Sequence, residues 1–491
     1  MLVNVRLQPY RLVVFLGVFI LVTIALYGLS GRSWLISPAG AEYDRTAGLS
    51  GAVSHDGSNT ELLEADQFAW PFEYSTVSNQ SLFCEERFGL GYLDNFSQRS
   101  AEYCTAESAS RMTCFSSITE TKTRRKDAFC IAGPATFDLD QHKFVLDCSL
   151  RDLLPDELNS GLPRFINLPG YWYSTGPKYI FSTAVSFATM QGATPSSTIQ
   201  ASPVTIVLKR EDEYKNIWHA LLEIFATFMT LDILRMAHNP ATKAPFIQPS
   251  DFSNTQVLLL DHLPDGPYSE LWHLFAQKPI LRLSDITSSF PLEPGNIIVP
   301  LAGGGNPFWQ GDWNLLDCTD SPLLRAFSRR VLSYYQIHDP PKQPDDPLVI
   351  TYIDRTTKRR LVDQARLLDA LRLRHPTIQL NVVDFAQLPF AQQLAVDRST
   401  DILVGVHGAG LTHGMFLPRG SALVEILPFG LKHKGFLNMA AMLGHAHFSA
   451  ESVDDRTQTS ARGDWQADDV YIPQGAFLEL VEQAIRKKME S

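Results

Sequence analysis

An uncharged apolar run is the strongest hydrophobic feature of the chain. Residues 12–29 read LVVFLGVFILVTIALYGL, and Arg6 and Arg11 precede them. A helix needs roughly 17–25 apolar residues to span a bilayer, and basic residues favour the cytosolic side. We therefore predict a transmembrane signal-anchor whose N-terminal end lies in the cytosol. A cleaved signal peptide that ends near the small residues 39–41 is the alternative.

The rest of the chain divides into a mixed N-terminal part and a regular C-terminal part. In the N-terminal part, apolar runs at 201–210, 255–261 and 295–300 are suited to buried strands, and 211–237 has a long helical pattern. The stretch HDPPKQPDDP at 338–347 holds four prolines. Because proline interrupts both helices and strands, this stretch is the predicted domain boundary.

Strands and helices alternate cleanly after this boundary. The predicted strands are 348–353, 378–384, 401–406 and 422–427, and the predicted helices are 359–374, 390–397, 411–417 and 475–488. Such alternation predicts a parallel, doubly wound sheet. The predicted organisation is a cytosolic tail (1–11), an anchor (12–30), a flexible stem (31–70), an α/β domain (71–338), a linker (339–347), a second α/β domain (348–474) and a C-terminal helix (475–491).

Charge and cysteine content narrow the classes of function. The net charge of -11 argues against a nucleic-acid binder, which needs a broad basic surface, but a local anion site remains compatible with it. The six cysteines include no Cys-x-x-Cys pair, so an even number in a luminal domain predicts disulfides, whose pairing the sequence leaves open. Asn79 and Asn95 each begin an Asn-x-Ser tripeptide, a weak signal for N-glycosylation.

The stretch 401–429 carries the most specific pattern. It reads DILVGVHGAGLTHGMFLPRGSALVEILPF, so an apolar strand runs directly into a turn of small residues and then into a helix. Backbone amides at such a turn can approach a ligand, and a helix N-terminus favours an anion such as a diphosphate. Glu425 lies near the end of the next strand, where it could accept hydrogen bonds from ribose hydroxyls. The turn residues are His407, Gly408, Ala409 and Gly410.

Two further groups of polar residues are candidates for a site. A basic cluster of Arg355, Lys358, Arg359 and Arg360 follows the first strand of the C-terminal part. Arginine suits phosphate because its planar guanidinium binds two oxygens at once. On the apolar helix 211–237, Asn216, His219 and Glu223 recur at i, i+3 and i+7 and share one face. Polar groups on such a helix need partners or a cleft, and a buried hydrogen-bond network is the alternative.

These segments together resemble glycosyltransferase family 61. HGAGL, preceded by DILVG and followed by H-x-x-F-L-P-x-G-S-x-x-x-E, is similar to the hallmark segment of that family. RTTKRRLVD at 355–363 is similar to its R-x-x-x-R-R/K-x-x-N signature, with Asp363 in place of the usual asparagine. Residues 216–223 are similar to its N-x-x-H-x-x-x-D/E segment. The resemblance is strong over 345–430, fair around 200–280 and absent before residue 80.

The resemblance implies a GT-B fold of two Rossmann-like domains. It also implies an inverting, metal-independent transfer of N-acetylglucosamine or xylose from a UDP-sugar to a protein or glycan hydroxyl, in the lumen of the endoplasmic reticulum or Golgi. No cofactor beyond the UDP-sugar co-substrate is expected. Arg355, Arg359, Arg360, the turn 407–410 and Glu425 would bind the donor. Asn216 would line the acceptor cleft, and Glu223, or else His219, would deprotonate the acceptor hydroxyl.

Two other interpretations remain open. Asp138 and Asp140 have the Asp-x-Asp spacing of metal-dependent transferases, although that spacing is common by chance. A non-catalytic luminal protein on the same fold could bind glycans or nucleotides, and Asp363 already departs from the family pattern. An esterase is disfavoured because no G-x-S-x-G accompanies the turn, and the scattered C-terminal histidines lack the spacing of a zinc site.

Overall fold

The computed structural model describes residues 70–76, 80–120, 125–188, 203–213, 215–343, 345–454, 464–466 and 468–490. All of them belong to one compact unit, which extends from Glu61 to Ser491. The predicted cytosolic tail and signal-anchor, the stem up to residue 69 and Asn79 lie outside the described residues.

The N-terminal half is built on a mixed sheet. Its strands are β1 (Ser100–Glu102), β2 (Arg111–Glu120), β3 (Arg125–Asp138), β4 (Lys143–Asp147), β5 (Val185–Ala188), β6 (Val204–Leu208), β7 (Thr255–Leu259), β8 (Leu281–Arg282) and β9 (Gly295–Val299). The order is β1-β2-β3-β9-β6-β7-β8, and β4 pairs with β3 and β5. Strands β9, β6, β7 and β8 are parallel, whereas β1, β2, β3 and β9 alternate in direction. The three predicted strands are confirmed as β6, β7 and β9, which form the parallel part of the sheet.

A long buried helix packs against this sheet. The helices of this half are α1 (Leu82–Phe88), α2 (Leu90–Gln98), α3 (Pro155–Asn159), α4 (Pro177–Ala184), α5 (Ile217–Met236), α6 (Pro307–Gln310) and α7 (Pro322–Tyr334). Within the described part of the chain, α5 alone is long and apolar enough to cross a bilayer, but 94% of its apolar window is buried inside the protein. Burial of this kind is typical of a core helix in a large globular domain.

The C-terminal half is a five-stranded parallel sheet. Its strands are β10 (Val349–Ile353), β11 (Gln379–Val383), β12 (Ile402–Val406), β13 (Ala422–Leu427) and β14 (Ala446–Glu451), in the order β11-β10-β12-β13-β14. Its helices are α8 (Gln364–Arg374), α9 (Phe390–Arg398), α10 (Gly435–Leu443) and α11 (Gln474–Met489). The predicted parallel, doubly wound arrangement is confirmed. Strand β14 and helix α10 were not predicted, because β14 is half-exposed and lacks a clean apolar pattern.

One hydrophobic core joins the two halves. It contains side chains from β6, α5 and α7 of the N-terminal half together with side chains from β12 and α10 of the C-terminal half. The Trp218 ring contacts the Phe436 ring at 5.5 Å between centroids, and the Ser328 hydroxyl donates to the Met415 carbonyl at 2.8 Å. The structure is therefore a mixed α/β protein with two sheets held against each other by packing. The finer assignment to the GT-B class stays a prediction.

Three disulfides pair all six cysteines. Cys104 bonds to Cys148 and Cys114 to Cys130, so both bonds lie within residues 104–148. The third bond joins Cys84 to Cys318, across a sequence separation of 234 residues. The prediction of disulfides is confirmed, and the structure supplies the pairing that the sequence left open.

Two predicted helix boundaries were wrong. Helix α8 begins at Gln364 rather than at residue 359, because Arg359 and Asp363 adopt left-handed φ values of 53° and 56°, which a right-handed helix excludes. Helix α5 begins at Ile217 rather than at residue 211. Asn216 is its N-cap, whose side-chain oxygen accepts from the Trp218 amide at 3.1 Å.

Candidate functional site

The candidate donor site lies where the C-terminal sheet changes its direction of winding. The chain leaves β10 toward β11 on one side and later returns to β12 on the other, so loops diverge beyond the carboxyl ends of β10 and β12. Ligands of doubly wound sheets bind in the crevice at this switch point. The two loops carry the predicted basic cluster and the predicted turn of small residues.

Gly408 brings the two loops into contact. A Cβ atom built on Gly408 would lie 2.6 Å from Nη1 of Arg355 and 3.1 Å from the guanidinium carbon of Arg359. Its φ of 154° also lies in the region that favours glycine. Both guanidinium groups therefore rest against the backbone of the turn, next to the start of the 3₁₀ helix Ala409–Phe416.

The two arginines form a cationic pair. Within the described part of the chain, neither guanidinium lies within ion-pair distance of a carboxylate; Arg355 Nε donates to the Lys358 carbonyl at 2.9 Å, and Arg359 Nε is buried without a hydrogen-bond partner. Burial lowers the pKa of both groups, and the neighbouring Arg355 adds to the effect at Arg359, whose pKa falls to about 10 although the Asp464 carboxylate opposes the shift. Two adjacent, partly desolvated cations favour an anionic ligand.

The neighbouring Arg360 and Asp363 have other partners. Arg360 forms a bidentate ion pair with Asp469, with Nη2 2.6 Å from Oδ2, on the exposed side of the loop. Asp363 precedes α8 and accepts from Arg366 at 2.9 Å. Its left-handed conformation is one that asparagine and aspartate both tolerate. This shared tolerance accounts for aspartate at a position where the resemblance leads us to expect asparagine.

His407 and Glu425 belong to a buried hydrogen-bonded triad. His407 Nδ1 lies 2.6 Å from Glu425 Oε1, and His447 Nε2 lies 3.0 Å from Oε2. Burial alone would raise the pKa of Glu425, but the hydrogen bonds from the two histidines outweigh it and lower the pKa to about 2. Both carboxylate oxygens thus engage protein groups, and Glu425 orients His407 so that its Nε2 is available to a ligand. A ribose contact by Glu425 stays a prediction.

Aromatic rings that no sequence motif marked surround His407. The rings of His433, Phe436 and Trp465 lie 4.8, 5.5 and 6.0 Å from its centroid. The guanidinium carbon of Arg359 is 5.8 Å from the Trp465 ring. These residues escaped prediction because they come from a loop, the start of α10 and a segment near residue 465, which share no periodic pattern.

The candidate acceptor site lies at the N-terminal end of α5. Strand β6 ends at Leu208 and leads into a loop that carries Glu211 and Asp212. His219 Nδ1 lies 2.9 Å from Asp212 Oδ2, and the imidazole stacks on Trp309 at 4.4 Å. When the histidine is neutral, Nδ1–H donates to the carboxylate and Nε2 can accept a proton. The predicted residue His219 therefore has the arrangement of an oriented base.

Glu223 is more deeply placed than His219. Glu223 is 4% exposed, and a Cβ atom built on Gly303 would lie 3.1 Å from the Cα atom of Glu223. Gly303 begins the 3₁₀ turn Gly303–Gly305, in which the Gly304 amide donates to Glu211 Oε1 at 2.9 Å. The buried Glu211 Oε2 has no hydrogen-bond partner in the described part of the chain. Burial raises the pKa of Glu211 to about 8, although the Gly304 amide opposes the shift.

A shared aromatic wall connects the two sites. Trp218, which directly precedes His219, contacts Phe436 at 5.5 Å between ring centroids. The same Phe436 ring lies 5.5 Å from His407. Helix α5 and the turn between β12 and the 3₁₀ helix therefore pack against the same buried ring. Asn216 is the cap that starts α5.

Asp138 and Asp140 lie elsewhere, in the turn between β3 and β4. Asp138 Oδ1 accepts from the amides of Asp140 and Gln141 at 2.9 Å, as is typical of a turn-forming aspartate. In the described residues, no group of three or more histidine, cysteine or acidic side chains could hold a metal ion.

Part of the chain matches a known protein family. The model of glycosyltransferase 61 matches residues 217–424. The EGF domain-specific O-linked N-acetylglucosamine transferase of Drosophila melanogaster is 32% identical over 231 residues, which is 45% of this chain and 40% of that protein. Residues 217–424, less than half of the 491-residue chain, are therefore similar to glycosyltransferase family 61. Proteins with the same name from Gallus gallus and Rattus norvegicus are 37% and 40% identical over 163 and 113 residues.

The matched segment contains most of the site. His219, Glu223, Arg355, Arg359 and the turn 407–410 all lie between residues 217 and 424. The matches cover 32% of this chain and 30% of the chicken protein, and 22% of this chain and 21% of the rat protein. The chain thus spans two fifths or less of the length of these relatives in the matched regions. Asp212 and the residues around Trp172 precede the segment that matches the family.

Proposed function

We propose that this chain transfers a sugar, N-acetylglucosamine or xylose, from a UDP-sugar to a hydroxyl of a protein or glycan, with inversion and without a metal. The observation that carries the proposal is the pair Arg355 and Arg359, which rest against Gly408 at the switch point with no carboxylate at ion-pair distance among the described residues. The family supports a glycosyl transfer, and the transferases similar to this chain are named for N-acetylglucosamine.

The residues of the cleft suit an inverting displacement. The acceptor hydroxyl would attack the anomeric carbon while His219 Nε2 takes its proton, and Asp212 would stabilise the resulting imidazolium. The bond between the anomeric carbon and the diphosphate oxygen would break at the same time. Arg355, Arg359 and the amides of the 3₁₀ helix would stabilise the charge that develops on the departing UDP.

Between the two predicted bases, the geometry favours His219. Its Nδ1 is held by a carboxylate, and its side chain is 18% exposed, whereas Glu223 is 4% exposed. A base must reach the hydroxyl that it deprotonates, within about 3 Å or through one water. We therefore assign the base to His219, the orienting role to Asp212, and a supporting position beneath the cleft to Glu223.

The setting we propose is the lumen of the secretory pathway, with anchoring through residues 12–30. Three disulfides support an oxidising compartment, because such bonds are rare in the cytosol.

The test is release of UDP by the full-length protein from a panel of UDP-sugars, with and without a chelator. Hydrolysis of one UDP-sugar that chelation leaves unchanged is the expected result. Release that chelation abolishes would refute metal independence and make Asp138 and Asp140 candidates again. If UDP itself failed to bind in a calorimetric titration, the proposed donor site would be wrong.

A further inference from the structure

Two aromatic rings lie next to the proposed base, and a third lies next to one of them. The Trp309 ring stacks on His219 at 4.4 Å with an interplanar angle of 22°, and the Tyr173 ring lies 5.7 Å from the imidazole. Trp172 lies 6.1 Å from Trp309. Trp172 and Tyr173 are 61% and 49% exposed, which is unusual for side chains of this size. We call Trp172, Tyr173 and Trp309 the aromatic platform.

The loop that carries the platform is held in a strained and fixed conformation. Tyr173 and Ser174 are consecutive non-glycine residues with left-handed φ values of 61° and 55°. Such residues cost about 1–3 kcal/mol each and cluster at ligand-binding sites. The Tyr171 hydroxyl donates to Asp127 at 2.5 Å, and Lys209 Nζ donates to the Tyr173 carbonyl at 2.5 Å. The exposed rings are thus presented by a loop that is tied down at both sides.

The charged groups beside the platform are Asp212 and Lys209. Asp212 has a side chain that is 27% exposed, and it is hydrogen-bonded to the same His219 that stacks on Trp309. The nearby Lys209 is engaged by the Tyr173 carbonyl. A surface with flat apolar faces and hydrogen-bond acceptors at its rim fits a neutral ring that carries C–H groups on its faces and hydroxyls around its edge.

The backbone around the platform argues against an extended peptide as the occupant. Peptides commonly bind by adding a strand to an open sheet edge. The strand that leads into this site, β6, is already paired with β9 on one side and with β7 on the other. The names of the relatives refer to a protein acceptor, but Trp172 and Tyr173 precede the segment that matches the family. Those names therefore do not indicate what the platform binds.

We propose that the aromatic platform binds a neutral pyranose ring, so that the hydroxyl that receives the sugar is itself part of a carbohydrate. This inference rests on the proposed function, because it assigns the acceptor of the same cleft. The ring stacks on Trp172 and Trp309, and one of its hydroxyls lies next to His219 Nε2. The acceptor class is therefore glycan rather than unmodified polypeptide.

The experiment is saturation-transfer NMR on the full-length protein. The probes are methyl β-D-xylopyranoside, methyl α-D-mannopyranoside, methyl N-acetyl-β-D-glucosaminide and a carbohydrate-free serine- and threonine-containing peptide. We expect saturation of the ring C–H protons on one face of at least one glycoside. Trp172→Ala should weaken that binding by roughly tenfold, since it removes a stacking face, and Trp172→Phe should restore much of it.

Trp70→Ala is the matched control. Trp70 is also an exposed tryptophan, at 45%, and it packs on Tyr74 and Arg235 near the far end of α5. By helix rise this end is about 24 Å from His219. Glycoside binding should be unchanged in Trp70→Ala. Equal binding by wild-type protein and Trp172→Ala, or saturation of the peptide and of no glycoside, would overturn the inference.

Separate measurement of UDP-sugar hydrolysis and of glycoside binding distinguishes the proposed function from the proposed acceptor site. If UDP-sugar is hydrolysed but no glycoside binds in a Trp172-dependent manner, the acceptor inference is wrong and the proposed function stands. If glycoside binding depends on Trp172 but no UDP-sugar is bound or hydrolysed, the transferase proposal is wrong and the platform stands as a carbohydrate site.

Discussion

Gly408→Ala is the substitution that tests the donor site most directly. The added Cβ would lie 2.6 Å from Arg355 Nη1, whereas ordinary van der Waals contact begins at 3.4 Å. Arg355 would have to move by about 0.8 Å, and Arg359, at 3.1 Å, would have to move as well. Neither shift requires the sheet to change, because the clash involves only the ends of two side chains and the turn itself.

The expected cost is the loss of one charged hydrogen bond to the diphosphate. A hydrogen bond near 2.9 Å that lengthens by this amount falls outside the useful range. Hydrogen bonds to charged groups contribute about 1.5–3 kcal/mol, which corresponds to a roughly 10- to 150-fold weaker Kd for UDP. Global stability should fall by only about 1–2 kcal/mol, from the strained backbone of a non-glycine residue at this φ.

The assay is calorimetric titration of the full-length protein with UDP, paired with thermal unfolding. Gly420→Ala is the control, because Gly420 has a positive φ of 79° but a Cβ added there would meet no atom within 4 Å. Gly420 precedes β13, so it lies at the amino ends of the parallel strands, whereas the site lies beyond their carboxyl ends. We expect a stability loss in both variants and an affinity loss in Gly408→Ala alone. Wild-type affinity for UDP in Gly408→Ala would refute the proposed phosphate contact.

Three further predictions follow from individual contacts. His219→Ala should lower the rate of sugar transfer by about 10²–10⁴-fold with an unchanged Kd for UDP. Asp212→Asn should lower this rate less. Near-normal transfer by His219→Ala in steady-state assays would exclude His219 as the base. Cys84→Ser should destabilise the protein more than Cys114→Ser in denaturant titrations, because its bond closes a separation of 234 rather than 16 residues. Burial lowers the pKa of His445 from 6.5 to about 4. The neutral imidazole therefore stabilises the fold above pH 6.5, and this contribution is lost as the pH falls to about 4. His445→Gln should reduce the loss of stability between pH 6.5 and pH 4.

The regular parts of the fold were predictable from local pattern. Strands β10, β11, β12 and β13 lie within a residue or two of the apolar runs that predicted them. Strands β10, β12 and β13 are buried along almost their whole length and read as continuous apolar segments, so their signal is local. Strand β14 escaped prediction because its residues are half-exposed and it depends on pairing with β13.

The errors in the site come from contacts between distant parts of the chain. The segment after β10 has the composition of a helix start, yet Leu361 forms a bridge with Val470 and Arg360 pairs with Asp469. These contacts hold Arg359 in a left-handed conformation that no local rule for arginine predicts. Asp212 was missed for a related reason, because residues 211–237 were assigned to one helix and the loop before Asn216 was overlooked.

The three arginines of the basic cluster show how an acidic protein can bind an anion. Arg360 is neutralised by Asp469, although it directly follows Arg359 in sequence. Arg355 and Arg359 lie against Gly408, with no carboxylate at ion-pair distance in the described part of the chain, and Asp464 acts on Arg359 only from farther away. Their mutual repulsion and burial are unfavourable until an anion occupies the turn. The affinity for a diphosphate therefore depends on which arginines lack a partner, and the net charge of -11 places no limit on it.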